Sequence, residues 1–70
     1  MEAETFEQRV GAKLTAMRKK KGLTQPEAAK GAGVGNRSIW RWESGEQLPS
    51  TSALKKLANF YATTPDKILK

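Results

Sequence analysis

The sequence contains no cysteine, no histidine and no long hydrophobic run. Without cysteine the chain can form no disulfide and offers no thiolate nucleophile. Without histidine it lacks the commonest metal ligand and the commonest general base. No apolar stretch approaches the roughly 18 residues that a membrane span needs, and the acidic start MEAETFEQ lacks the apolar core of a signal peptide. We therefore expect no enzyme, no metal or other cofactor, no membrane partner and no evident small-molecule ligand.

Positive charge is concentrated in the middle of the chain. The net charge is +6, with −3 in residues 1–8, +7 in residues 9–45 and +2 in residues 46–70. A basic segment of this kind favours a polyanionic partner such as a nucleic acid. A well-solvated charged surface would have the same composition, so charge alone leaves both interpretations open.

Apolar residues recur at helical spacing, whereas the alternating pattern of β-strands and the turns of hairpins are missing. A length of 70 residues predicts one domain. The spacing predicts five helices: about 4–20, about 25–31, about 36–44, one after Ser50 and one after Thr64. The first helix carries an apolar stripe of Phe6, Val10, Leu14 and Met17.

The predicted second helix has clear end signals. Thr24 followed three residues later by Glu27 is a capping box, and Pro26 suits a first turn because its missing N–H has no partner there. Gly31 and Gly33 permit a tight turn at the other end.

The predicted third helix has two chemically different sides. Its inner side carries Ser38, Ile39 and Trp42. Its outer side carries polar and basic residues together with a second tryptophan: Asn36 at the edge, Arg37, Trp40, Arg41 and Ser44.

A short helix, a glycine-bearing turn and an amphipathic helix are typical of a helix-turn-helix. The ordered segments LxxMR, GLTQxExA, GV, IxRWExG and LxxLA resemble the Cro and phage-repressor type of helix-turn-helix proteins over about residues 10–69. The resemblance implies an all-α, compact five-helix bundle of the lambda-repressor kind. It also implies a single DNA-binding domain over 1–70, with the helix-turn-helix at about 24–45.

Three positions depart from the family pattern. Ala28 stands where the family usually has leucine, and Gly35 stands where it usually has serine or threonine as a helix cap. Gly31 weakens the end of the second helix by about 1 kcal/mol relative to alanine. These departures predict lower stability, but they leave the DNA-reading positions in place.

The resemblance assigns base reading to Asn36, Arg37 and Arg41. Arginine can donate two hydrogen bonds to guanine O6 and N7, and asparagine can pair with adenine N6 and N7. The alternative is that these side chains form an ordinary solvated helix face.

Phosphate contacts are expected from a second group of residues. The resemblance places Gln25 at a DNA phosphate, at a helix N-terminus that favours anions. Ser44, Lys20 and Lys21 are further candidates for backbone contact, although solvent exposure would explain them equally well. Trp40 is expected to contact backbone sugar or a protein partner, or to lie over the aliphatic stem of a lysine or arginine.

Glu43 is interpreted as structural and not catalytic, since no other catalytic group is near it in the sequence. The resemblance implies an internal ion pair between Arg18 and Glu43 that ties the first helix to the third.

These observations together predict a transcriptional regulator that binds double-stranded DNA with specificity for sequence. Repression, a homodimer on DNA, a prokaryotic or phage origin and a nucleoid-associated, cytoplasmic location are expectations from the resemblance alone. The alternative is a protein-interaction module on the same fold, an antitoxin-like or adaptor protein.

Overall fold

A computed structural model describes residues 4–70 of the chain. The elements are α-helices: α1 (Phe6–Lys20), α2 (Gln25–Ala32), α3 (Asn36–Glu43), α4 (Thr51–Phe60) and α5 (Pro65–Leu69). No strand occurs between residues 4 and 70. Within that range no helix has the length and apolar character needed to cross a membrane. The predicted all-α, five-helix architecture is confirmed.

Local sequence determines where the helices begin. The predicted capping box of α2 is present, because the Glu27 N–H donates to Thr24 Oγ1 and the Thr24 N–H donates to Glu27 Oε1. Thr5 and Gln8 form the same reciprocal pair before α1, at 2.9 and 3.0 Å. This second box was not predicted, although its Thr-x-x-Gln pattern is legible in the sequence.

The first four helices each end with one residue in the left-handed region. That residue is Gly22 after α1, Gly33 after α2 and Gly45 after α3, with φ of +70°, +76° and +80°. After α4 it is Ala62, at φ +54°, where the Thr63 N–H donates to the Ala58 carbonyl at 2.8 Å. This bonding is that of a Schellman C-cap, which favours glycine because a side chain at positive φ is strained.

The core is formed where the inner faces of the helices meet. α1 packs against α3 and α5, α2 packs against α3 and α4, and α4 packs against α5. The core cluster consists of Val10, Leu14, Ala29, Ile39, Trp42, Ala53, Leu54, Leu57, Ala58 and Ile68. Ile39 and Trp42 therefore lie in the core, as predicted for the inner side of the third helix.

Phe6 does not belong to the core, contrary to the predicted apolar stripe. Its exposed fraction is 44%. The first turn of α1 faces the end of α3 through Gln8, since a Cβ at Gly45 would lie 2.8 Å from Gln8 Cγ. Residues two apart on a helix lie on nearly opposite sides, so the side that carries Phe6 points away from α3 and into solvent.

Gly11 marks the closest approach of α1 to α3. A Cβ at this position would lie 2.5 Å from the Trp42 carbonyl oxygen and 2.6 Å from that of Glu43. The two helices can therefore approach each other this closely only because residue 11 has no side chain. The contact brings the last turn of α3 against the middle of α1 and fixes the orientation of the outer face of α3.

Candidate nucleic-acid interface

The outer face of α3 is exposed and basic. Arg37 and Arg41 are both exposed and lie one turn apart, with exposed Asn36 at the start of the helix. Trp40 lies on the same face and is 51% exposed. Because Ile39 and Trp42 hold the opposite face in the core, the helix presents this surface in one orientation.

The turn between α2 and α3 fixes the angle at which α3 begins. Gly33 ends α2 at φ +76°, and Val34, which packs against the core, follows it. Gly35 then precedes α3 in extended conformation, and no side chain caps the helix. The first backbone N–H groups of α3 thus have no side-chain cap within the part of the chain that the structure describes, a property that suits an anion at this end.

Glu43 links three helices beneath this face. Arg18 Nε donates to both of its carboxylate oxygens, at 3.0 and 2.8 Å. Thr15 Oγ1 and Gln25 Nε2 donate to Glu43 Oε1 at 3.1 and 3.2 Å. The hydrogen bond to Glu43 is the main cause that raises the pKa of Arg18 above its ordinary value. The structure brings Arg18 and Glu43 together in the arrangement that the resemblance implies.

Gln25, the expected phosphate contact, is only partly available. It is the first residue of α2 and is half-buried. One of its amide hydrogens is used by Glu43, which leaves the second amide hydrogen and the backbone N–H for a ligand. No sequence pattern predicts this bond, because residues 25 and 43 are brought together only by the packing of α2 against α3.

Ser44 and Arg41 are connected to each other and to the following turn. The Ser44 hydroxyl donates to the Arg41 carbonyl at 3.1 Å, so its oxygen and not its proton faces outward. Arg41 Nε lies 4.0 Å from Glu46 Oε1, with exposed side-chain fractions of 44% and 55%. Glu46 was not among the predicted site residues. It is five residues from Arg41, a separation that places no pair on one helical face.

Lys20 and Lys21 are grouped away from the α3 face. They line a surface cleft of about 440 Å³ with Met17, Tyr61 and Thr63, none of which belongs to α2 or α3. Lys21 Nζ lies 5.3 Å from the centre of the Phe60 ring, in cation–π geometry. The structure therefore does not bring these two lysines together with the expected base-reading residues.

Residues 4–70 contain no group of three or more acidic, histidine or cysteine side chains that could hold a metal ion. The chemistry of the α3 face is thus that of hydrogen-bond donors, positive charge and one aromatic ring. Such a set suits contact with a nucleic acid.

The family profile of the helix-turn-helix domain matches residues 9–69. The chain belongs to the helix-turn-helix domain family. The profile extends over all five helices, from α1 to the end of α5. The predicted family resemblance is confirmed.

Two curated proteins resemble this helix-turn-helix domain over most of its length. The HTH-type transcriptional regulator ImmR of Bacillus subtilis is 37% identical over 60 residues, which are 86% of this chain and 47% of ImmR. The HTH-type transcriptional activator BcrR of Enterococcus faecalis is 37% identical over 57 residues, 81% of this chain and 28% of BcrR. The chain spans less than half the length of either relative.

A solved structure extends the likeness to the fold. The P22 c2 repressor, determined in complex with a synthetic operator, has a TM-score of 0.85 and 35% identity to this domain. The match covers 90% of this chain and 96% of the P22 c2 repressor chain. The lambda-repressor-like fold expected from the sequence is therefore confirmed.

Proposed function

We propose that this domain binds double-stranded DNA as part of a transcriptional regulator, with α3 in the major groove. The observation that carries the proposal is the two-sided structure of α3. Its inner face is held by Ile39 and Trp42, while Arg37 and Arg41 are exposed together on the outer face. The P22 c2 repressor shares the fold and was solved with an operator, which supports the same use of the helix. The DNA-binding unit is taken as residues 1–70, with its helix-turn-helix at about 24–45.

Base reading is assigned to three side chains. Arg37 and Arg41 each offer a planar set of donors for guanine O6 and N7, and a bidentate contact of this kind contributes about 1–3 kcal/mol of discrimination. Asn36, exposed at the start of α3, matches adenine N6 and N7. Trp40 lies among them, so its ring would contact the sugars of the backbone.

Backbone contacts are assigned to Gln25 and Ser44, which lie at the start of α2 and the end of α3. Gln25 would use its remaining amide hydrogen together with the N-terminus of α2. The Ser44 hydroxyl would have to give up its bond to the Arg41 carbonyl before donating to a phosphate. Lys20 and Lys21, at the end of α1, contribute positive potential that favours the phosphate backbone.

Dimerisation and the direction of regulation depend on more than this domain. Proteins of this fold class commonly bind palindromic sites as dimers, with half-sites about one helical turn apart. BcrR is named an activator and P22 c2 a repressor, so the shared domain is compatible with either outcome. We retain repression, a homodimer on DNA and action at the nucleoid in the cytoplasm as parts of the proposal.

The test compares two double variants that lose the same charge. Fluorescence anisotropy of a labelled duplex is measured with Arg37→Ala/Arg41→Ala and with Lys55→Ala/Lys56→Ala, whose lysines are exposed on α4. The proposal expects a much larger loss of affinity in the α3 variant, and a wild-type affinity that falls steeply with salt because phosphate contacts release counterions. Equal losses in the two variants would show that α3 is not the contact surface.

The alternative function is a protein-interaction module, and the exposure of Trp40 favours it. A tryptophan that is 51% exposed is a common anchor of protein interfaces. In that case Trp40→Ala would abolish binding of a protein partner, and the chain would show no salt-dependent affinity for DNA.

A further inference from the structure

The turn after α3 places an acidic side chain beside one of the two outer arginines. α3 ends in a Schellman C-cap: the Glu46 N–H donates to the Arg41 carbonyl at 3.0 Å, and the Gly45 N–H donates to the Trp42 carbonyl at 3.3 Å. The Ser44 hydroxyl donates to the same Arg41 carbonyl. The position of residue 46 relative to residue 41 is therefore fixed by backbone bonds and does not depend on the two side chains.

The contact between the side chains uses only one part of the guanidinium. Glu46 Oε1 lies 4.0 Å from Arg41 Nε, and the two terminal nitrogens of Arg41 make no hydrogen bond within the described residues. Bidentate pairing with guanine requires two donors of the guanidinium. Glu46 can consequently remain beside Arg41 while the terminal nitrogens contact a base.

Arg37 has no acidic partner of this kind among the residues that the structure describes. Between residues 4 and 70 the ion pairs are Arg18 with Glu43 and Arg41 with Glu46. The Glu43 carboxylate is enclosed by its donors beneath the face, whereas Glu46 is exposed. Glu46 thus brings a solvated negative charge to the end of the surface that the proposed function places against DNA.

We propose that Glu46 is a specificity-determining residue: it orients Arg41 towards a base and, by its own charge, disfavours the contact of Arg41 with phosphate. The inference rests on the proposed function. An exposed pair is weak, so its effect on folding is small. On DNA the effect is selective, because the Glu46 carboxylate would face a phosphate of like charge when Arg41 contacts the backbone. This repulsion weakens the phosphate contact more than it weakens the contact of Arg41 with a base.

The experiment uses Glu46→Gln, which keeps the size of the side chain and removes its charge. Asp66→Asn is the matched control, since it makes the same change of net charge at an exposed residue of α5, and α5 packs against α1 and α4. A duplex is first selected from a randomised pool by the wild-type chain. Affinities for this duplex and for a scrambled duplex of equal composition are then measured for all three proteins over a range of salt concentrations.

Glu46→Gln should raise affinity for the scrambled duplex by about five- to tenfold at 0.1 M salt, the factor for roughly one more neutralised phosphate. Affinity for the selected duplex should change much less, so the specificity ratio falls by a similar factor. The slope of log affinity against log salt on scrambled DNA should steepen by about 0.9. In an Arg41→Ala background the same substitution should have no greater effect than Asp66→Asn.

Two results would overturn the inference while leaving the proposed function intact. One is a specificity ratio for Glu46→Gln equal to that of Asp66→Asn. The other is an effect of Glu46→Gln that persists fully without Arg41, since the charge would then act on DNA directly. If the wild-type chain enriches no duplex and binds neither probe, the proposed function itself fails, and this inference fails with it.

Discussion

Arg18 donates through one nitrogen to both carboxylate oxygens of Glu43, at 3.0 and 2.8 Å, and so joins α1 to the last turn of α3. The side chains are only 12% and 5% exposed. Because Glu43 also accepts from Gln25 at the start of α2, one carboxylate sets the relative positions of three helices. The orientation of the outer face of α3 depends on this pair as well as on the core.

Glu43→Ala should lower the free energy of unfolding by about 3 kcal/mol, near the lower end of the cost of removing one partner of a buried pair. The loss arises because the Arg18 guanidinium stays largely buried without its counter-charge. Urea denaturation measures it. Glu46→Ala is the control, since its pair with Arg41 is exposed and should contribute at most about 1 kcal/mol. Equal effects of the two substitutions would contradict a structural role for the Arg18–Glu43 pair.

Gly11→Ala should destabilise the domain. Alanine in the interior of a helix gains about 1 kcal/mol over glycine, but here its Cβ would meet the backbone carbonyls of Trp42 and Glu43 at 2.5 and 2.6 Å. Overpacking of this kind costs about 1–3 kcal/mol or more, and backbone cannot rotate away as a side chain can. Thermal unfolding measures the result. A stability gain would show that α1 and α3 are not in close contact.

Ala12→Gly is the control for that experiment. Ala12 is exposed on the same helix, so its replacement reports helix propensity alone and should cost about 1 kcal/mol. The two substitutions have opposite effects on helix propensity. Ala12→Gly should destabilise the domain through propensity, whereas Gly11→Ala should destabilise it because of the packing of α1 against α3.

Ala62→Gly should raise stability. Ala62 has φ +54° at the end of α4, and an L-residue in the left-handed region costs about 1–2 kcal/mol. The greater freedom of glycine in the unfolded chain offsets about 0.5–1 kcal/mol of the gain, so a net increase of about 0.5–1 kcal/mol is expected. Urea denaturation checks it, and a decrease in stability would mean that residue 62 does not adopt the positive φ.

Glu27 should make the domain more sensitive to acid. Hydrogen bonds from the backbone and side chain of Thr24 hold the pKa of Glu27 below its ordinary value of 4.5. A group whose pKa is lowered by folding contributes stability above its unfolded pKa and loses it as pH falls through the folded value. Wild type should therefore exceed Glu27→Gln in stability at pH 7, and the difference should shrink below about pH 4.5. A difference that is constant from pH 7 to pH 3 would contradict this.

The parts of the fold that were predictable depend on local or periodic signals. Ile39, Trp42 and Leu57 fall at helical spacing, and the structure buries all three. The Thr24–Glu27 cap follows from residues three apart, where both hydrogen bonds are within one turn. The family residues also occur in order, which is why the sequence alone locates the helix-turn-helix.

The parts that were missed depend on how helices pack. From the sequence, Gly11 only lowers the helix propensity of α1. Its role in the close contact of α1 with α3 follows from the tertiary structure. Phe6 fits the apolar stripe by spacing, yet its turn of α1 faces α3 through Gln8. Glu46 reaches Arg41 because a left-handed Gly45 reverses the chain, a three-dimensional effect that no helical period contains. The residues that form the site could thus be predicted from the sequence, whereas the tertiary contacts that position them could not.

The outer face of α3 and the start of α2 together form the proposed contact surface for DNA. An amide NMR titration of the chain with a mixed-sequence duplex, first at low and then at moderate salt, tests it most directly. We expect shifts concentrated at Gln25 and residues 35–44 that fade as salt rises, with Lys55 and Lys56 on α4 little affected. An α3 face whose signals stay unchanged at low salt would show that this face does not contact DNA, and the Trp40 surface would then be the one to test with a protein partner.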